Sequence, residues 1–183
     1  MCSRFEPAEK EDVVLRWDVN PGSNVLGSAK WSTIFPKYDT LLITYANEPI
    51  VRSWGLTPEW AKRPLINAKS EEAHTKRTFT PLLNSRCVIP AASYYEWQGP
   101  KGAKIKTTIF GNSIPPIAGL YTEDQYVMFT CAPADSISHI HNRMPANLDG
   151  DAVGEWLNPD NEYSDLMRLL QPYGGQLEWS EAA

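Results

Sequence analysis

Arg86-Cys87-Val88-Ile89-Pro90-Ala91-Ala92-Ser93-Tyr94-Tyr95-Glu96-Trp97 is the stretch whose reading decides the fold. Its two halves are rich in β-branched and aromatic residues, and Pro90 between them cannot donate to a ladder, so it reads as strand, break, strand. Working downstream, residues 106–110, 117–121 and 126–131 repeat the pattern as further short strands. Upstream, 40–45 and 49–54 predict a hairpin joined near Asn47-Glu48, and Val13-Val14-Leu15-Arg16-Trp17 predicts another strand. Turn residues crowd 20–24 and 27–28, between that strand and the hairpin. Ser70, with Glu71 and Glu72 in the first turn, predicts a helix running to Phe79 or Thr80 and stopping before Pro81. A helical turn capped by Asp135, helices over 151–157 and 163–170, and a last strand over 176–179 complete the expectation. Strands dominate with a few scattered helices, which predicts an α+β fold around a largely antiparallel sheet. At 183 residues one domain, 1–183, is expected.

Composition narrows the function classes. The net charge of −5 argues against a protein that coats nucleic acid non-specifically, which would be basic. A local basic groove is still compatible with it. Arg4, Lys30, Lys37, Arg52, Lys69, Lys76, Arg77 and Arg86 lie in the first half, while the last forty residues carry mainly acids. Three cysteines, Cys2, Cys87 and Cys131, have no paired spacing, so neither a disulfide framework nor a zinc site is expected. No apolar run reaches membrane-spanning length and no signal-peptide core is visible. The expectation is a cytoplasmic protein without membrane contact, cofactor or metal.

Chemistry-bearing residues sit in four stretches: Cys2 with Arg4; Asn67-Ala68-Lys69-Ser70-Glu71; Tyr94-Tyr95-Glu96-Trp97; and His141-Asn142-Arg143-Met144-Pro145. Cys2, once Met1 is removed, presents an α-amine and a thiol on adjacent carbons. The amine, with an unperturbed pKa of about 7.7–8.0, can form an imine with an aldehyde, and the thiol can close a thiazolidine ring onto it. Taken alone, a lone cysteine more often serves as a small buried hydrophobe. Glu96, between Tyr95 and Trp97, is either a desolvated general acid/base or an edge-strand carboxylate facing water. His141 would share a strand face with His139 two residues earlier, a spacing open to a structural role, a proton shuttle or a metal. Trp54 and Trp60 bracket a Gly- and Pro-punctuated loop, as core residues or as a stacking platform.

Five groups of residues, in order along the chain, resemble the SRAP family of SOS-response-associated peptidase-like proteins, which crosslink abasic sites in DNA. They are Met1-Cys2 with Arg4-Phe5; Trp54-Gly55-Leu56 with Pro58 and Trp60; Ile66-Asn67-Ala68 with Ser70-Glu71; the 86–97 stretch; and His141 with Arg143-Met144-Pro145. The resemblance implies an open barrel-like core and a monomer without cofactor or metal. It further implies action on single-stranded or junction DNA carrying an abasic site, in the cytoplasm, at the nucleoid of a cell or in the host of a phage. Cys2 is then the nucleophile, Asn67 holds its backbone, Glu96 assists imine formation and Met1 removal, and His141 moves protons at the sugar oxygens. Arg4, Lys69 and Arg143 grip phosphates, while Pro36, Trp54 and Trp97 meet neighbouring bases. Ser3 replaces the family's usual glycine, and Lys69 replaces an arginine, keeping the charge without the bidentate fork. A thiol hydrolase using Cys2 and His141, and a non-catalytic nucleic-acid-binding module, are the competing readings.

Overall fold

The computed structural model describes residues 2–100, 102–111 and 114–181. Eleven strands among the described residues form two sheets. β2 (Asp39–Ile43) and β3 (Pro49–Trp54) form the expected hairpin, paired from Asp39↔Ser53 to Ile43↔Pro49. β5 (Arg86–Ile89), β8 (Ile117–Tyr121) and β9 (Gln125–Cys131) complete the ring β9-β3-β2-β5-β8, which β8–β9 pairing closes. The core is therefore a closed five-stranded barrel rather than an open one. All its pairs are antiparallel except β3–β9. β4 (Asn67–Lys69) also runs parallel to β9, and the two-residue β10 (Met144–Pro145) pairs on it antiparallel.

Pro90 is where the chain leaves the barrel. β6 (Ala91–Gln98) joins a second, antiparallel sheet with β1 (Phe5–Pro7), β7 (Ile105–Phe110) and β11 (Glu178–Glu181), in the order β1-β6-β7-β11. The strand–break–strand pattern thus encodes a transfer between sheets. Phe5 wedges the two together: it is fully buried, bridges to Ile34 and meets the Trp54 ring edge-on at 5.3 Å. Among the described residues no helix is long and apolar enough to cross a membrane.

Several local expectations are corrected. Residues 13–17 belong to helix α1 (Lys10–Trp17), not to a strand. Val13 and Trp17, four apart, are buried on one side while Leu15 is exposed; Glu11 and Asp12 in the first turn and Arg16 in the last suit the helix dipole. The turn-rich region contains a short helix, α2 (Asn24–Ser28), whose first turn Ser23 caps by accepting from the Val25 N–H at 3.3 Å. The helix expected after Ser70 is instead a series of turns with 3-10 segments at Ala73–Thr75 and Thr80–Leu82. The hydroxyls of Thr75 and Thr80 donate to the carbonyls of Glu72 and Lys76, offering the backbone an alternative to the helical ladder. Asp135 lies inside a 3-10 turn, Asp135–Ile137, without capping it. α3 (Ala152–Leu157) arrives where expected, the helix expected over 163–170 is a short α4 (Tyr163–Leu166) continued by a 3-10 turn at Met167–Leu169, and the final strand sits two residues later than expected.

Arg86, counted above among groove-forming cations, is a structural hub. It is buried on β5, where Nε donates to Trp156 O at 2.7 Å and the terminal nitrogens donate to Leu83 O, Asn158 O and Asn161 O at 2.9, 2.6 and 3.2 Å. These bonds tie α3 and the following loop to the barrel. Arg86→Met is expected to destabilise the fold by about 3–5 kcal/mol, since it strands the buried Trp156 carbonyl and three part-buried ones. Arg86→Lys should rescue little, because an ammonium cannot reproduce the fork. Urea unfolding at unchanged m-value measures this; a midpoint within error of the wild type would contradict it.

Candidate functional site

The segment preceding β1 is threaded between the two sheets. Tyr95 N–H on β6 donates to Arg4 O at 3.0 Å, and from the barrel side Asn67 Nδ2 on β4 donates to Cys2 O at 2.8 Å. Asn67 can reach it because β4 is held on β9 by the register Asn67↔Met128. Cys2 is 1% exposed and its Sγ–H donates to Arg4 O at 3.4 Å. Burial, with the negative charge of Glu96 added, pushes the Cys2 thiol up to about 12, so at neutral pH it is a thiol that needs a proton acceptor.

Glu96 lies on an interior strand, between β1 and β7, and is 1% exposed. The edge-strand reading of this carboxylate is therefore excluded. Strand alternation turns Tyr95 and Trp97 to the opposite face from Glu96. There Tyr95 Oη–H donates to Glu6 at 2.6 Å, and Trp97 lies under the Arg4 guanidinium. Desolvation raises the Glu96 carboxyl to about 7, which suits a group that both takes and gives a proton at neutral pH.

His141 Nε2 is 3.7 Å from Glu96 Oε2. Its Nδ1 accepts from the Arg143 backbone N–H at 3.1 Å, which fixes the neutral tautomer with the proton on Nε2, facing Glu96. Burial lowers the His141 pKa, and the nearby Lys104 charge acts in the same direction. His139 and His141 do not share a strand face: they follow the 3-10 turn at Asp135–Ile137, and His139 instead contacts the Trp179 ring at 5.3 Å. The metal option built on their alternation loses its geometric basis.

The expected phosphate and base contacts fare unequally. Arg4 lies over the Phe35 and Trp97 rings at 4.4 and 5.2 Å, with Pro36 half-buried beside Phe35. Arg143 makes a two-pronged pair with Glu71, at 2.7 and 2.9 Å, and also donates to Thr130 O. Lys69 is exposed and paired with Glu72 at 2.9 Å. Both cations are thus engaged with carboxylates that a phosphate would have to displace. Trp54 is a correction: it is fully buried, stacks on Tyr126 at 6.4 Å and donates from Nε1 to Ile66 O at 2.9 Å. It supports the barrel and meets no base, while Trp60, at 68% exposed, is the indole of that loop which faces solvent.

Sequence reasoning missed four neighbours. Phe35 supports Arg4, and Glu71, quoted but given no role, orients Arg143. Tyr94 and Thr107 share the Glu96 face through strand alternation and the Glu96↔Thr107 register. Their hydroxyls are buried without a hydrogen-bond partner among the described residues. Met1, whose removal the sequence reading invokes, lies outside the described residues. A concavity of about 550 Å³ between α1 and Pro90–Ala92 is lined by none of Cys2, Asn67, Glu96 and His141.

The family model described as "SOS response associated peptidase (SRAP)" matches residues 1–183. Abasic site processing protein YoqW of Bacillus subtilis is 38% identical, over 94% of this chain and 88% of its own. Abasic site processing protein HMCES of Gallus gallus is 30% identical over 65% of this chain, which spans about half (48%) of that longer protein. Among solved structures, a Bacteroides thetaiotaomicron protein superposes with a TM-score of 0.85 at 21% identity, covering 100% of this chain and 92% of that one. A Bordetella bronchiseptica protein does so with a TM-score of 0.81 at 22% identity, over 100% of each chain. By this whole-length match, on a fold whose two sheets bring Cys2, Asn67, Glu96 and His141 together, the chain belongs to the SRAP family.

Proposed function

We propose that this protein recognises abasic sites in single-stranded or junction DNA and captures them covalently through Cys2. The observation that carries the reading is the convergence on Cys2 of a backbone anchor, Asn67, and a desolvated carboxylate, Glu96, itself facing His141. The names of YoqW and HMCES as abasic site processing proteins support the choice of target.

In this reading, hydrolysis of the Met1–Cys2 peptide bond consumes one water and frees the Cys2 α-amine. The hemiacetal opens to the aldehyde as its C1 hydroxyl proton is relayed, by way of Glu96 and the Nε2 of His141, to the ring oxygen, so that the bond from C1 to the ring oxygen breaks with no net gain or loss of protons. The amine attacks the aldehyde carbon; Glu96 takes the proton from nitrogen and returns it to the hydroxyl, which leaves as water. The Cys2 sulfur then adds to the imine carbon, and its proton passes through Glu96 to the nitrogen. Aldehyde and aminothiol thus become a thiazolidine and one water, with no redox change. Arg4 over its two rings, and Lys69 and Arg143 exchanging carboxylate for phosphate, hold the flanking strand.

A thiol hydrolase is less well supported. His141 presents Nε2 to Glu96 and has Nδ1 occupied by Arg143, so it is not turned to act as base for the Cys2 sulfur. The test is incubation with a single-stranded oligonucleotide bearing one abasic site. A heat-stable adduct is expected, with half-maximal formation shifting to higher protein concentration as salt rises. Cleavage of unrelated peptides without any adduct would instead favour the hydrolase.

A further inference from the structure

The outer strand of the second sheet carries a feature that the reaction just described does not use. In the registers Tyr94↔Ile109↔Trp179 and Glu96↔Thr107↔Glu181, Trp179 falls on the same sheet face as Glu96. Its indole is 44% exposed at a sheet edge, where an apolar ring of that size normally finds cover. One edge of it is fixed: His139 meets it at 5.3 Å with the ring planes 66° apart. His139 is held in turn by Gln98 Nε2, which donates to its carbonyl at 3.2 Å, and it stands two residues before His141. Trp179 is therefore braced against the segment that delivers His141 to Glu96.

We propose that Trp179, braced by His139, is a stacking platform for the nucleobase next to the captured abasic sugar, on one side of the lesion only. The inference rests on the abasic-site reading above. Three observations select a base as the occupant. The platform is continuous with the site through the 139–141 segment and the shared sheet face. β11 carries Glu178 and Glu181, both exposed, which repel phosphate and favour the neutral face of a base over the backbone. Lys104, exposed and near enough for its charge to act on both Glu96 and His141, supplies a cation for the phosphate that links the two nucleotides. An indole stacks on any base, so the platform adds affinity without sequence preference.

The experiment uses the full chain and three single-stranded oligonucleotides with one reactive abasic site. In the first both neighbours are purines. In the others the 5′ or the 3′ neighbour is a tetrahydrofuran spacer, which has no base and cannot open to an aldehyde. The readout is the protein concentration giving half-maximal adduct formation. The wild type should need about 5- to 150-fold more protein with one of the two spacers. Trp179→Ala should show that same deficit with the purine-flanked oligonucleotide and lose no more with that spacer, while Trp179→Phe restores most of the discrimination. A Trp179→Ala protein that discriminates as the wild type does, or that weakens on all three substrates alike, overturns the platform and leaves the function in place. Absence of any adduct from the wild type removes the function and the platform together.

Discussion

Cys2→Ala is expected to bring the yield of heat-stable DNA adduct down to background while the protein still binds the oligonucleotide non-covalently. Cys2 is small, buried and anchored mainly through its backbone carbonyl, so alanine leaves the Asn67 contact available. The substitution removes the sulfur and little else. The same variant keeps a terminal amine once Met1 is removed, so a borohydride-trappable imine should survive in it. Cys2→Ser should behave likewise, since a hydroxyl closes the ring far less stably than a thiol. Denaturing electrophoresis, with and without borohydride and heat, separates these outcomes. Heat-stable crosslinking by Cys2→Ser at the wild-type level would exclude the thiazolidine.

Glu96→Gln has two expected effects of opposite sign. The reaction slows by about 10²–10⁴-fold, the usual range when a positioned acid/base is lost. The fold becomes more stable at alkaline pH. The folded carboxyl titrates near 7 against an ordinary value of 4.5, because burial opposes its charge. Between these two values the folded chain binds more protons than the unfolded one, so wild-type stability falls as pH rises and the full deficit is present above 7. A shift of this size corresponds to about 3 kcal/mol. Glutamine does not ionise and escapes it. Denaturant titrations at pH 4.5 and pH 8 should therefore show the variant gaining on the wild type at the higher pH. A variant that loses stability at pH 8 would show that the carboxylate is held by favourable interactions rather than by function.

How far the sequence could be read depended on the range of the interaction. The β2–β3 hairpin and strands β5 to β9 were legible because β-branched runs, turn residues and Pro90 act locally. α1 was not, because Val13 and Val14 suggest alternation, whereas the deciding contact is the burial of Val13 with Trp17 against the core. The run after Ser70 carries helix-start signals, yet side-chain bonds from Thr75 and Thr80 and the pull of Lys69 and Lys76 on Glu72 keep it in turns. Trp54 and Trp60 look alike in sequence and separate only when the barrel closes over the first.

The candidate site was legible as four stretches and not as a geometry. Bringing Asn67 to Cys2 depends on the parallel β4–β9 register, and turning Nε2 of His141 towards Glu96 depends on one backbone N–H. The two-pronged Arg143–Glu71 pair crosses from the loop after β4 to the segment before β10, so no local pattern announces it. The burial of Glu96 was hinted at by its aromatic neighbours, but they face the other way. What desolvates it is its interior position in the second sheet.

The central claim concerns the chemical identity of one bond, and mass decides it. Protein reacted with an abasic oligonucleotide and analysed intact should weigh the chain without Met1 plus the oligonucleotide, less one water, with the crosslink mapping to Cys2. An adduct that retains Met1, or that maps to any other residue, would contradict the account.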